Sequence, residues 1–385
     1  MRFLWVSAII VLLGFFGGAS GRAGTFRAIG AQRICSGCST KYAGDLSQYD
    51  YVIMQPNQAY LLPALRAKNP NTKYIMYKNV SGTSDSYCCA QGVEYAWVQA
   101  NHPEWFLLDT NGKRIDFSDF PHIWMLDWGN HLYQQIWAQN VIKEAKANGW
   151  DGVELDDVNY TQRTHLGGRT IAKYPTVSSQ TESMRQFLAY VGPQLTKNGL
   201  IAMPNIFVDW PDGLKIWKQW IAYTSGGYKE YFTKSTGWDT TSGRKTGASW
   251  DYDMQFLAAT QSASKIFMAK TSAPIADTVS MEYARASFLL GWDGGDSALF
   301  FYPYKATPWD PHWTTYIGSP SGARFRVGAA WRRNYTGGTV IVNPSASSVT
   351  VSLEQPYRTI DGATVTSVTL PSATGVVLIS ESSTP

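Results

Sequence analysis

The chain has 385 residues, room for one large domain and a small one, and a formal net charge of only +4. That charge, with no basic cluster, argues against a nucleic-acid partner. Aromatic residues make up 14% of the chain, with 16 tryptophans, which suits a protein whose loops stack on the flat apolar faces of sugars.

Arg2, the apolar run 4–16 and the small residues 17–24 read as a secretory signal peptide cut near residues 19–23. The mature chain is therefore expected outside the cytoplasm. No later segment is long and apolar enough to span a membrane, and the absence of a cysteine near the cut argues against a lipoprotein. Four cysteines, Cys35, Cys38, Cys88 and Cys89, read as disulfides in an exported protein. Adjacent cysteines bond to each other only with strain, so Cys35 and Cys38 are expected to pair with Cys88 and Cys89. A four-thiolate zinc site is the alternative. No cofactor and no catalytic metal are expected: there are five histidines and none has ligand spacing to another. His165, with Asp156 and Asp157 upstream, is the one metal alternative.

Taken in order, residues 50–55 read as a first strand and 60–68 as a helix. Residues 71–79 form a second strand, ending in Lys78 and Asn79, polar groups placed for a site. A long segment, 80–121, holds a helix at 93–100 and an Asp-Thr-Asn-Gly turn at 109–112, where Asn-Gly accepts the backbone of a tight turn. Residues 123–127 read as a third strand with Asp127 and Trp128 at its end. A long amphipathic helix, 131–148, leads into the most informative stretch, Gly149-Trp-Asp-Gly-Val-Glu-Leu-Asp-Asp-Val-Asn159. This reads as a turn, a short buried strand and a pair of carboxylates where the strand ends. A helix at 179–197, a strand at 199–205 ending in Asn205, a helix at 212–220 and a strand within 222–232 follow. A helix at 251–264, a strand at 265–270 ending in Lys270, a helix at 281–290 and a strand at 297–302 ending in Tyr302 complete the alternation. Eight strands alternating with helices predict a (β/α)8 barrel, with the chemistry at the carboxyl ends of the strands. After about residue 322 the helical periodicity stops. Residues 339–343, 348–353, 363–370 and 374–379 alternate as strands of a small antiparallel β-domain. The expected organisation is a signal peptide over 1–23, a barrel over 24–322 and a C-terminal β-sandwich-like domain over 323–385.

Strand alternation chooses among the acids. Val153 and Leu155 share the face toward the helices, and Glu154 and Asp156 share the face toward the barrel axis, with Asp156 at the mouth. Asp157 falls on the Val/Leu side or in the loop. Asp156 is therefore the central catalytic carboxylate and Glu154 a paired, orienting acid below it. Glu230 is the second catalytic candidate. It follows two glycines that let the backbone approach closely, and Tyr228, Tyr231 and Phe232 flank it. That apolar setting is expected to raise its pKa and keep it protonated, as a proton donor requires. Lys78, Asp127, Trp128, Glu154, Asp157, Asn205, Lys270 and Tyr302 are the expected substrate-binding set, and Trp210, Trp238 and Trp250 the further stacking candidates.

The stretch Trp150-Asp-Gly-Val-Glu-Leu-Asp-Asp-Val158 resembles the fourth-strand motif of glycosyl hydrolase-like family fifteen. That is a (β/α)8-barrel group related to the α-amylase and polygalactosaminidase-type glycoside hydrolases. His102-Pro-Glu-Trp-Phe-Leu-Leu-Asp-Thr-Asn-Gly112, Met125-Leu-Asp-Trp128 and Gly227-Tyr-Lys-Glu-Tyr-Phe232 support it. The resemblance, spanning about residues 49–304, implies a glycoside hydrolase acting on a polysaccharide or oligosaccharide; the signal peptide makes it secreted, and a monomer is expected. Asp156 would be its nucleophile and Glu230 its general acid/base, with retention by analogy. The competing class is a non-catalytic carbohydrate-binding or cell-surface protein on a degenerate barrel; a metal-dependent deacetylase would need a histidine cluster.

Overall fold

The computed structural model describes residues 28–33, 45–87, 89–303 and 309–381. The cleavage region and Cys35, Cys38 and Cys88 lie outside them, and with them the expected disulfide pairing. The strands are β1 (Ile29–Arg33), β2 (Tyr51–Met54), β3 (Lys73–Asn79), β4 (Gly82–Ser84), β5 (Ile123–Met125), β6 (Gly152–Asn159), β7 (Ile201–Phe207), β8 (Gly226–Lys229), β9 (Ile266–Ser272) and β10 (Ala298–Tyr302), followed by β11 (Phe325–Val327), β12 (Ala330–Tyr335), β13 (Gly338–Asn343), β14 (Val349–Arg358), β15 (Thr364–Leu370) and β16 (Thr374–Ser380). The helices are α1 (Leu62–Lys68), α2 (Tyr95–Asn101), α3 (His131–Asn148), α4 (Arg163–Leu166), α5 (Val177–Lys197), α6 (Gly213–Ile221), α7 (Gly247–Ser262), α8 (Thr278–Gly291) and α9 (Pro311–Thr314).

Eight parallel strands close a barrel in the order β1-β10-β9-β8-β7-β6-β3-β2. The fold class is the expected one, but its membership differs in two places. The expected third strand, 123–127, is not in the barrel. Its core pairs antiparallel with β4 as a two-stranded flap. The strand that completes the barrel is β1, which joins β2 to β10 and has no strong apolar alternation to announce it. The two differences compensate, so β6 is still the fourth barrel strand.

The alternation on β6 is as expected. Val153 and Leu155 pack into the layer between strands and helices. The interior is filled by Tyr51, Ile53, Ile75, Met203, Tyr228, Met268, Ala298 and Phe300. This is a packed core rather than a pore. Helix α3, which aims β6, is fixed at both ends. The Asn130 side chain accepts from the Leu132 and Tyr133 amides, and Gly149 closes the helix in the left-handed conformation (φ 75°).

A six-stranded antiparallel sheet, ordered β11-β12-β13-β16-β14-β15, follows the barrel. It packs through β13 and β16 on α8, a helix whose residues Ser280 and Met281 and Tyr283 to Leu290 are all buried. Among the described residues no helix is long and apolar enough to cross a membrane.

Candidate active site

Residues two apart on a strand point to the same face, so the inward row of each barrel strand can be followed up to the mouth. On β6 it ends in Asp156 above Glu154. On β7 it passes Met203 to Asn205, on β9 Met268 to Lys270, and on β10 Phe300 to Tyr302. Past Tyr228 on β8 it reaches Glu230, the first residue after the strand. Five of the expected residues, Asp156, Asn205, Glu230, Lys270 and Tyr302, therefore form the top inward layer. The Asn205 amide binds both acids, donating from Nδ2 to Asp156 Oδ1 at 2.9 Å and to Glu230 Oε2 at 3.2 Å. Lys270 forms an ion pair with Glu230, and its ammonium also lies 5.0 Å from the centre of the Tyr302 ring. The Tyr77 hydroxyl donates to Asp156 Oδ2 at 2.5 Å.

Asp157 joins them by a backbone irregularity. The β6–β7 register shifts between Leu155 and Val158, and Asp157 takes a positive φ of 60°. Such a bulge re-aims a side chain beside a site. Asp157 thereby accepts from Asn79 Nδ2 (2.5 Å) and faces His165 Nε2 (3.1 Å). The other ring nitrogen of His165 faces Asp119 Oδ1 at 2.8 Å, and the ring stacks on Phe117. These groups surround a cavity of about 330 Å³ whose walls include Asp119, Phe120, Asp156, Asp157, Glu230 and Tyr231.

Four of the expected binding residues lie elsewhere. Lys78 is on the outward row of β3, because Ile75 and Tyr77 face in. It donates to the carbonyls of Cys89 (2.6 Å) and Gln91 (3.0 Å) and pairs with Glu144 of α3 (2.7 Å). Asp127 is buried under Lys173 and Tyr174, which both donate to it. Trp128 is a core side chain whose indole donates to Ser183 Oγ (2.7 Å). Glu154 is sealed inside the barrel below Asp156, out of reach of a ligand. Trp250 is likewise buried in α7, whereas Trp210 and Trp238 are exposed. The same alternation that selected Asp156 points to Tyr77 on β3. His165, which the sequence offers only as a metal alternative, is instead paired with Asp157 and Asp119, and Asp119 carries no local pattern that announces it. Among the described residues no group of three or more His, Cys, Asp or Glu side chains is arranged to hold a metal.

The electrostatics invert the expectation for Glu230. Burial works to raise its pKa, but the charge and hydrogen bond of Lys270, with the Asn205 amide, hold it below the ordinary carboxylate value. Asp156 is the group that is raised, to about 7, by burial and by the charges of Asp157 and Glu230, against the donors Tyr77 and Asn205. Burial and the charges of Asp156 and Glu230 push Glu154 well above its ordinary value. For His165 burial alone would lower the imidazole, but Asp157 and Asp119 outweigh it and push it up to about 9. The aromatic neighbours of Glu230 are real; Lys270, beside it in the same layer, outweighs them.

The model of hypothetical glycosyl hydrolase family 15 matches residues 66–339, well over half of the chain. The chain belongs to this family. The family places it among the glycoside hydrolases. None of the curated proteins matches the chain. Among solved structures it is similar to an α-amylase from Malbranchea cinnamomea (TM-score 0.52, 10% identity, covering 91% of this chain and 96% of that one). It is also similar to the maltogenic α-amylase AmyB from Thermotoga neapolitana (TM-score 0.52, 11% identity, 91% and 98%). The glycoside hydrolase domain of PelA from Pseudomonas aeruginosa aligns with a TM-score of 0.45 at 14% identity, over 73% of this chain and 96% of that one. At these identities the likeness is one of fold.

Proposed function

We propose that this chain is an exported glycosidase that cleaves the O-glycosidic bonds of a polysaccharide with Asp156 and Glu230, retaining the anomeric configuration. The observation that carries the reading is the single Asn205 amide nitrogen bound to both carboxylates. Two oxygens that share one donor, at 2.9 and 3.2 Å, cannot be more than about 6 Å apart. Retaining glycosidases hold their carboxyl groups about 5–5.5 Å apart, and inverting ones roughly 6.5–9.5 Å. The bound favours retention.

In the first step a carboxylate oxygen of Asp156 bonds to the anomeric carbon while the bond to the leaving oxygen breaks, and Glu230 gives that oxygen its proton. In the second, Glu230 takes a proton from a water that attacks the same carbon, and the ester to Asp156 breaks. Tyr77 and Asn205 each donate to one oxygen of Asp156 and fix its orientation. Export rests on the signal-like N-terminus.

One observation favours exchanging the two roles. Lys270 holds Glu230 ionised while Asp156 retains a proton to about neutral pH. In that reading Glu230 attacks and Asp156 donates. The test of activity is reducing-end release from chitosan, soluble starch, dextran, laminarin and polygalacturonate, comparing the native chain with Asp156→Asn and Glu230→Gln. Release that falls at least a thousandfold in both variants supports the pair, and release unchanged in either removes that residue. Once the sugar is known, trapping with its 2-deoxy-2-fluoro glycosyl fluoride and mapping the labelled peptide decides the roles. A label on the Asp156 peptide supports the first assignment, and one on the Glu230 peptide the exchange.

A further inference from the structure

Exposed aromatic side chains are unevenly placed on the barrel. A single exposed aromatic is ordinary, but several gathered around one cavity are not. Tyr87 and Phe120 stand on the long excursion after β3, Trp210 on the loop after β7, and Tyr231 on the loop after β8; they are 48%, 58%, 74% and 42% exposed. All four follow the carboxyl ends of strands, the end that carries Asp156 and Glu230. At the other end Tyr49, Trp150 and Trp292 are buried, and Trp309, packed against Tyr49, is 39% exposed.

Phe120 and Tyr231 line the cavity that holds the two acids. Trp210 and Tyr87 lie beyond it. Trp210 stands three residues past the cavity-lining Phe207, with one ring edge against Tyr252 (5.5 Å between centres). Tyr87 overhangs a second, small pocket of about 40 Å³, which Tyr77, Asn79, Thr83 and Gln91 also line. That pocket is separated from the main cavity by the hydrogen bonds from Tyr77 to Asp156 and from Asn79 to Asp157. Exposed aromatic surface thus continues beyond the cavity on the loops of β3 and β7, the two strands that flank β6 in the barrel. One sugar seated between Asp156 and Glu230 leaves Trp210 and Tyr87 unused.

We propose that the mouth binds a glycan chain over several residues, with Trp210 and Tyr87, on the loops of the two strands that flank β6, as stacking platforms beyond the cavity, so that the chain is cut internally. The inference rests on the glycosidase reading for its cleavage step and on the placed aromatics for its binding step, and the two are tested separately. Binding is read by retardation of the full-length Asp156→Asn chain in native gels containing each of the five polysaccharides above. Trp210→Ala and Tyr87→Ala are each added to it, with Tyr316→Ala as the control, an exposed aromatic whose neighbours Thr315 and Ile317 are hydrogen-bonded to α8 and to the C-terminal sheet. Each mouth substitution should weaken retardation by the bound polymer about tenfold and the control should leave it unchanged. Cleavage is read with the native chain by size-exclusion chromatography, where mean molar mass should fall by half before mono- and disaccharides accumulate.

Retention of a polymer that is lost in the two variants, without cleavage, would keep the platforms and remove the glycosidase reading. Cleavage with retardation unchanged by both substitutions would remove the platforms and keep the glycosidase. Release of only mono- or disaccharides from the start would overturn internal cutting, and neither retardation nor cleavage by any polymer would overturn both.

Discussion

Glu154 and Asp156 share one face of β6 and differ only in depth, yet the difference sets their chemistry. Asp156 has Tyr77 and Asn205 donating to its two oxygens, whereas Glu154 Oε2 is buried without a partner. A buried carboxylate with an unpartnered oxygen is far less stable than a buried carboxylic acid, so Glu154 is neutral. Glu154→Gln is therefore expected to keep kcat within about threefold, because the amide reproduces the shape and charge of the acid. Thermal stability measured alongside checks the fold, and a hundredfold loss of kcat would mean that the ionised form is used. Asp156 and Glu230 titrate as a pair, so the limbs of a pH profile belong to both. Lys270 supplies the positive charge that favours the ionised form of Glu230. Lys270→Met should move the acid limb of kcat/KM upward, because Glu230 then takes up its proton at higher pH. A profile with unmoved limbs would show that Lys270 does not set the charge of the pair. The raised pKa of Asp156 also bears on folding. The folded chain holds this proton more tightly than the unfolded one, so the contribution is favourable below the ordinary value of 3.8 and is lost as pH rises toward 7. Asp156→Asn should accordingly raise the melting temperature at pH 8 and have little effect at pH 4.

The glycines of β8 show an element shaped by what lies beside it. A Cβ on Gly226 would overlap the Ile266 carbonyl oxygen of β9, and one on Gly227 would come within 2.6 Å of the Trp217 ring of α6. Gly226→Ala must push β8 off β9 and carry Glu230 with it. The overpacking is expected to cost about 1–3 kcal/mol, and the displaced acid about a hundredfold in kcat/KM. Urea unfolding and initial rates on the cleaved polysaccharide measure the two, and native values for both would show that the close approach relaxes freely. That Gly-Gly pair was legible in the sequence, as were α3, β6 and the inward position of Asp156, because each has a local cause: a cap, a period of two, or a residue without a side chain. Other features had none. β1 is short and weakly apolar, and it is a strand because β2 and β10 pair with it from both sides. Residues 123–125 have a strand's composition and form one, but only the flap partner β4 decides that it lies outside the barrel. Lys78 closes β3 as a polar residue but faces outward, as the same alternation that turns Asp156 inward on β6 requires. The bulge that brings Asp157 to His165, and the lysine that lowers Glu230, depend on neighbours more than thirty residues away or on a local register shift that side-chain patterns do not announce.

At the scale of the whole molecule the C-terminal sheet is part of the barrel's stability. Helix α8 is buried around its whole circumference from Tyr283 to Leu290, with no solvent face beyond Val279 and Glu282 in its first turns. One side lies on β9 and β10 and the other under β13 and β16, where Gly375 approaches Ala286 too closely to carry a Cβ without a shift. The end of α8 is closed by the sheet as well. Arg333 of β12 donates through Nη1 to the carbonyls of Leu289 (3.1 Å) and Trp292 (2.5 Å), and the Tyr335 hydroxyl to Leu289 O (2.6 Å). These carbonyls are among those that a helix leaves unsatisfied at its carboxyl end, and a cation there also meets the negative pole of the helix dipole. Removing the sheet would uncover α8 along its length, so a chain ended at residue 322 is expected to be insoluble. A gentler test leaves the sheet in place. Arg333→Ala removes the charged donor but none of the packing between α8 and β13 or β16, and should cost about 1.5–3 kcal/mol, the range for hydrogen bonds to a charged group. If barrel and sheet unfold as one unit, calorimetry should show a single transition, displaced downward in the variant. If the sheet is a separately stable module, the variant should instead split the melt, with the barrel transition left where it was and only the sheet released early. Because the last barrel helix is held by both parts, the single displaced transition is the outcome the packing requires.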